Sequence, residues 1–435
     1  MLSHYYLHLA LRSLRRNKIL TALMVVAIAL GVGASMTTLT MLYILSGDPI
    51  PTKSGQLYYV QLDPQDMDDY IPGGEPEEQV TRFDAEALLA AKRADRQAMM
   101  AGGGVAIEPG RAELRPFSVD ARYASADFFP MFEVPFRHGG GWSGGEDTAR
   151  ARVAVISKEL NDKLFAGENS VGRPVRIEGS EFRVVGVLDR WRPTPYFFDI
   201  NNGVYREVEQ VFVPFSTARD LKLARQGNMN CWGDEVVSDL EAVNAPCTWI
   251  QFWVELGTAE KASAYHDYLM AYSGEQHRAG RFQRPPNVRL RGLMAWLDHK
   301  RVVPGDVRIM NWLAFGFLAV CLLNTVGLLL AKFLRRSSEI GVRRALGASR
   351  RAIFAQFLIE AATVGTVGGG LGLGLAWLGL WGVRNLPEDY ARLAELDLVM
   401  LATTFAVAIA ASALAGLLPA WRACQVTPAL QLKSQ

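Results

Sequence analysis

Scarcity says more than abundance in this 435-residue chain. Its four cysteines are too few for a disulfide framework. Cys231 and Cys247 fall in a long polar middle and can pair if that middle lies outside the cytosol; otherwise they are two separate thiols. Cys321 and Cys424 lie in or beside apolar segments. A formal net charge of only +2 argues against a nucleic-acid binder. The six histidines, at positions 4, 8, 138, 266, 277 and 299, make no metal-ligand spacing with a nearby cysteine or carboxylate, so no metal site is expected. There is no nucleophile elbow and no nucleophile paired with a base. The segment from Gly167 to Pro174 places two glycines as a phosphate-binding loop would. However, Arg173 stands where the lysine is needed, and Pro174 replaces the magnesium-holding hydroxyl residue, so a turn is expected. The chain is therefore expected to be non-catalytic and to bind no cofactor directly.

What is present is apolar sequence, concentrated locally. Half the residues are hydrophobic although the mean hydropathy is only +0.08. Residues 1–18 hold Arg12, Arg15, Arg16 and Lys18 beside Leu7, Leu11 and Leu14, as in an amphipathic helix on an anionic membrane face. Residues 19–47 carry no charge at all, too long a run for a signal peptide, and read as a first transmembrane helix continuing into a stalk. Further spans are expected at 306–334, 352–386 and 398–419. Basic residues cluster at the N-terminus, in 335–351 and in the tail 420–435, whereas the loop 387–397 is acidic. Four spans with both termini in the cytoplasm satisfy the positive-inside bias throughout.

Residues 48–305 contain no run long enough to span and form a folded domain beyond the first span. Two βαβ-like halves are expected. One comprises strand Gln56 to Leu62, helix Asp84 to Met100 capped by Asp84, and strands near Gly104 to Ile107 and Leu114 to Val119. The other comprises strand Thr248 to Leu256, helix Ala259 to Tyr272 and strand Asn287 to Leu293. An insertion at about 123–244 reads as a small β-rich subdomain, with strands Val153 to Ile156, Pro174 to Ile177, Phe182 to Leu188 and Val211 to Val213 and a helix Lys158 to Phe165. The aromatic stretch Trp191 to Phe198 is either a binding lip or, the favoured reading, a loop packing its own rings.

The 337–349 stretch, SSEIGVRRALGAS, reads as a short helix with Ser337 or Ser338 as its cap. Glu339 and Arg343 are spaced to pair, Val342, Ala345 and Leu346 share one face, and Gly347 is a natural stop. By spacing alone it is either a docking helix or a basic loop that sets topology. The third span carries Gly365, Gly369 and Gly372 among other glycines, suited to close helix packing or else to a broken, flexible helix. It also carries Glu360, which an intramembrane position would make a functional candidate. Two turns from the cytoplasmic end, it reads instead as a carboxylate snorkelling to the interface.

The segments EIGVRRALGASRRAIFAQFLIEA (339–361), GLLPAWRACQVTPALQL (416–432) and VAVISKELNDKLFAGENSVGRPVRIEGSEFRVVGVL (153–188) resemble MacB/FtsX-type ABC transporter permeases. The resemblance covers nearly the whole chain. It implies an inner-membrane permease subunit with a large periplasmic domain of Porter-like and Sabre-like subdomains. With only eighteen residues before the first span, it also implies an ATPase supplied separately. The implied partners are a cytoplasmic ABC ATPase dimer, which would bind ATP and magnesium, and a second permease copy or paralogue. A periplasmic adaptor and an outer-membrane channel would complete an export route. Residues Glu339, Ile340, Val342, Arg343, Arg344, Ala345, Leu346 and Gly347 would then form the coupling helix. ATP hydrolysis would drive motion of the periplasmic domain and so export, or alternatively activate a periplasmic partner such as a cell-wall hydrolase.

Overall fold

The structure, a computed structural model, describes residues 18–110, 114–233, 238–336, 339, 342, 343, 346–385, 391, 393 and 398–424. The amphipathic segment up to residue 17 and the tail from residue 425 lie outside these. The chain divides into two compact units, Gly47–Val302 and the remainder.

In the remainder, among the described residues, four helices are long and apolar enough to cross a membrane: Lys18–Leu45, Gly305–Leu334, Arg350–Arg384 and Leu398–Cys424, here called spans one to four. At 1.5 Å per residue, even the 27 residues of span four exceed a hydrocarbon core of about 30 Å. Span three packs on spans one and four, and span two packs on the same pair. Spans two and three therefore lie diagonally and meet chiefly near the loop that joins them. The buried faces carry Met24, Ile28, Val32 and Met36 of span one against Phe357, Ala361 and Val364 of span three.

Glycine makes the tightest of these approaches possible, and it serves two interfaces. Gly365 and Gly369 of span three face span four, where Ser412 and Ala408 occupy the space a side chain would need. Gly372 faces span one, where an added Cβ would sit 3.1 Å from Val32. Small residues at such contacts let dispersion forces hold helices in lipid. Span three is one continuous helix through the glycine-rich stretch, so these glycines pack rather than break it.

The Gly47–Val302 unit is built on a thirteen-stranded sheet. Its strands are β1 (Leu57–Leu62), β2 (Val80–Thr81), β3 (Arg96–Glu108), β4 (Phe117–Ala124), β5 (Phe136–Gly139), β6 (Val153–Ile156) and β7 (Pro174–Ile177). They continue as β8 (Ser180–Leu188), β9 (Val211–Pro214), β10 (Arg225–Gln226), β11 (Asn230–Cys231), β12 (Cys247–Glu255) and β13 (Val288–Gly292). The order β13-β1-β12-β3 has antiparallel neighbours throughout. Strands β1 and β3, joined through helix Arg82–Ala91, thus flank β12. Strands β12 and β13, joined through helix Ala259–Arg278, flank β1. The two expected halves are two interleaved split βαβ units.

One expectation fails here for an identifiable reason. The first helix does not run from Asp84 to Met100. Thr81 caps it by accepting from Asp84 N at 3.1 Å, Lys92 turns left-handed, and the chain enters β3 at Arg96. Strand β3 lies between β12 and β4 and is buried almost continuously from Gln97 to Gly103, so it lacks the alternation that marks a half-exposed strand. The β-rich insertion shares its sheet with the flanking halves. Strand β4 pairs in parallel with β9, from Ala121 opposite Val211 to Ala124 opposite Pro214, and the sheet continues through β6, β8 and β5.

The aromatic stretch turns inward. Tyr196, Phe197 and Phe198 are buried, and Trp191 stacks on Phe198 at 5.5 Å. Phe198 in turn meets Phe128 and Phe132, and its carbonyl accepts from Trp253 Nε1 at 3.1 Å. It is a core, not a lip. The same loop delivers Asp199 and Glu209 to Arg122 of β4, all three fully buried: Nη1 lies 2.7 Å from Asp199 Oδ2 and Nη2 2.5 Å from Glu209 Oε1. Burial pushes the Tyr196 phenol well above its ordinary pKa. For Arg122, burial alone would lower the pKa, but Glu209, Tyr196 and Asp199 outweigh it and hold the guanidinium firmly charged.

Cys231 and Cys247 sit directly opposite on β11 and β12 and are disulfide-bonded. The bond closes a segment whose Glu241 pairs with Arg219 and Arg225. For a loop of 16 residues, closure entropy contributes about 3 kcal/mol. Cys231→Ser/Cys247→Ser should therefore lower the denaturant midpoint of this unit, and reductant should have the same effect on the wild type but none on the variant.

Candidate functional site

The residues singled out between spans two and three separate into those the structure describes and those outside it: Ile340, Arg344 and Ala345 belong to the latter, as do the capping serines. Glu339, Val342 and Arg343 are helical. Arg343 Nη2 donates to Glu339 Oε1 at 2.7 Å, the pairing expected four residues apart. Leu346 N donates to Val342 O and Ala348 N to Arg343 O, both at 3.0 Å, and Gly347 takes φ 97°, a left-handed helix stop. Ser349 then caps span three, accepting from Ala352 N at 3.1 Å.

The loop helix is fastened by polar groups and leaves apolar ones outward. Arg343 Nη1 donates to Gln356 of span three at 3.1 Å, and Arg336, just past span two, meets Glu339 at 3.3 Å. Val342 is 53% exposed and Leu346 83%. Such a helix presents two aliphatic side chains between charged neighbours, a surface suited to an aliphatic groove with a polar rim.

Glu360 corrects the sequence reading. It does not snorkel. Its side chain is fully buried and ion-paired with the fully buried Lys332 of span two, and Arg336 Nη1 lies 3.7 Å from its second oxygen. Position along the helix places a carboxylate two turns from the interface, but the cation awaiting it belongs to a helix 28 residues earlier in the chain.

Elsewhere the chemistry stays bare. Among the described residues, no three or more His, Cys, Asp or Glu side chains gather as a metal site would require. Residues 166–174 form the turn expected of them: Ala166 and Gly167 are left-handed after helix Lys158–Phe165, and Gly172 N donates to Val184 O at 2.8 Å. The buried Arg122 cluster escaped sequence reasoning, because nothing local marks residues 77 and 87 positions apart as partners.

Four apolar helices, a polar-anchored loop helix and one α+β domain inserted between spans one and two define a polytopic membrane protein of permease type. Residues 21–266 match the family model of the MacB-like periplasmic core domain and residues 311–428 that of the FtsX-like permease C-terminal domain, so the chain belongs to the MacB/FtsX-type ABC permease family. It is 25% identical over 446 residues to a macrolide export ATP-binding/permease protein MacB of Marinobacter nauticus, covering 98% of this chain and 60% of that protein. To a pyoverdine export ATP-binding/permease protein PvdT of Pseudomonas fluorescens it is 27% identical over 311 residues, 71% of this chain and 42% of that protein. The chain thus spans about half the length of these curated relatives. The crystal structure of the periplasmic region of MacB from Actinobacillus actinomycetemcomitans superposes with a TM-score of 0.37 at 13% identity, covering 59% of this chain and 96% of that one. At that level the superposition adds nothing to the fold described above.

Proposed function

We propose that this chain is the membrane subunit of an ABC transporter that turns ATP hydrolysis by a cytoplasmic ABC ATPase into motion of the Gly47–Val302 domain, expelling a periplasmic substrate. The observation that carries the reading is the loop helix, with Val342 and Leu346 presented outward and Glu339 and Arg343 tied to the ends of spans two and three. The family membership supplies the ATPase as the partner for that surface, and the two relatives named for export supply the direction. The basic clusters favour a cytoplasmic loop helix and cytoplasmic termini. The Cys231–Cys247 bond favours an oxidising compartment for the large domain.

In this mechanism two permease copies, or this chain and a paralogue, each lodge a loop helix in one ATPase subunit. ATP, with its magnesium, is bound by the ATPase. Closure of the ATPase dimer draws the loop helices together, and a periplasmic adaptor with an outer-membrane channel receives what the moving domains expel. Purification of the intact complex tests the reading: an ATPase and an adaptor should co-elute, whereas a co-eluting cell-wall hydrolase would mean signalling instead of export. Glu339→Ala/Arg343→Ala should lower substrate-stimulated ATP turnover of the complex about tenfold, or roughly 1.4 kcal/mol of barrier. Unchanged turnover, or the absence of any bound ATPase, would defeat the reading.

A further inference from the structure

We propose that Lys332, Arg336 and Glu360 are positioning residues that hold the loop helix in register with spans two and three, a role resting on the reading that this helix receives motion from an ATPase. Spans two and three are the diagonal pair of the bundle, each packed mainly on spans one and four. What joins them is one aromatic contact and long charged side chains. Lys332 of span two meets Glu360 of span three across the buried interior, and beside that pair Phe333 meets Phe357 with ring centroids 4.0 Å apart. Arg336 then stands between two carboxylates, 3.7 Å from Glu360 and 3.3 Å from Glu339, and Glu339 holds Arg343, which reaches back to Gln356 of span three. A continuous polar chain therefore runs from the bundle interior to the loop helix and closes on span three.

The contrast with the rest of the bundle gives this chain its meaning. Span three meets spans one and four through glycines, where a single added carbon collides, so those interfaces tolerate little sliding. Long charged side chains on rotatable stems can change their reach or exchange partners without repacking a helix. Arg336, 3.3 Å from Glu339 and 3.7 Å from Glu360, is placed for such an exchange. Displacement of the loop helix would accordingly be conveyed to spans two and three through this chain as well as through the short backbone links at either end. Burial makes the arrangement demanding: among the described residues no second carboxylate reaches Lys332, so losing Glu360 strands a fully buried ammonium.

A buried ion pair that serves stability alone can be replaced by apolar residues of similar volume without loss, whereas removing one partner is costly. That asymmetry provides the test, using the full chain in lipid nanodiscs. Glu360→Gln alone should lower the Tm, and Lys332→Met/Glu360→Met should return it to near the wild-type value. In that recovered double variant, a spin label at Leu346→Cys, placed in a Cys321→Ser/Cys424→Ser background, should be more mobile than in the otherwise unaltered chain. In the complex with its ATPase, turnover should remain depressed about tenfold. A double variant that recovers Tm, label mobility and turnover together makes the pair purely structural and overturns the proposal. So does a label that is already as mobile in the unaltered chain. The mobility measurement needs no ATPase. If no ATPase binds the wild type, the functional reading falls by itself, while the positioning of the loop is still decided.

Discussion

Arg122→Met should destabilise the Gly47–Val302 unit by about 3–5 kcal/mol, the cost of breaking a buried ion pair from one side. Arg122 is fully buried on β4 and compensates Asp199 and Glu209, both delivered by the loop that returns from β8 to β9. Methionine fills much of the volume but leaves two carboxylates in the interior, beside a tyrosine already pushed towards its neutral form by burial. Strand β4 is also where the sheet passes from the split βαβ strands into the insertion, so the loss falls on the joint between them. For a unit of this size the expected fall in Tm is on the order of 10 °C, read by near-ultraviolet circular dichroism of the whole protein. Arg150→Met is the control. Arg150 pairs with Asp220 at 2.8 Å, both side chains exposed, and a solvent-screened pair of that kind contributes at most about 1 kcal/mol. A fall in Tm as large for Arg150→Met as for Arg122→Met would refute the assignment of the cost to burial.

Gly365→Leu should have the largest effect in the membrane unit. A Cβ at this position would collide with Cβ and Oγ of Ser412, itself buried on span four and donating to Ala408 O at 2.7 Å. Ser412 has no free rotation to yield, and the neighbouring Gly369 would place its own Cβ 2.7 Å from Ala408 Cβ, so the two helices must separate along this seam. Overpacking a close interface costs about 1–3 kcal/mol, and here it falls on the contact that fixes span four. Gly370→Leu separates packing from helix propensity, because Gly370, little more than one turn further along, faces open space and leucine there improves the helix. The expected result is lost thermal stability in detergent for Gly365→Leu and unchanged or raised stability for Gly370→Leu. Equal loss in both would mean that glycine serves flexibility and not packing.

These two sites also show where reading a sequence succeeds and where it stops. The glycines of span three were visible as close-approach residues because helical spacing and an apolar setting are local signals. Their division between two neighbours, Gly365 and Gly369 to span four and Gly372 to span one, was not visible, because a single helix carries no record of which span stands on which side. The pairing of Glu339 with Arg343 and the stop at Gly347 were legible for the same local reason. The partners of Arg343 on span three and of Arg336 on Glu360 were not.

Taken alone, the sequence determined the elements that local physics controls. Long apolar runs marked the spans, short apolar stretches divided by Gly and Pro marked strands such as β6 and β7, and turn residues bounded the helix Lys158–Phe165. Tertiary structure alone decided what depends on groups distant in sequence meeting in space. It made β3 a central strand with no alternation to read, fused the insertion into one sheet through β4 and β9, turned the aromatic loop inward and buried Arg122 with two carboxylates. It also drew Glu360 into the bundle, because the free energy of a buried carboxylate is set by the cation beside it and not by its depth along its own helix.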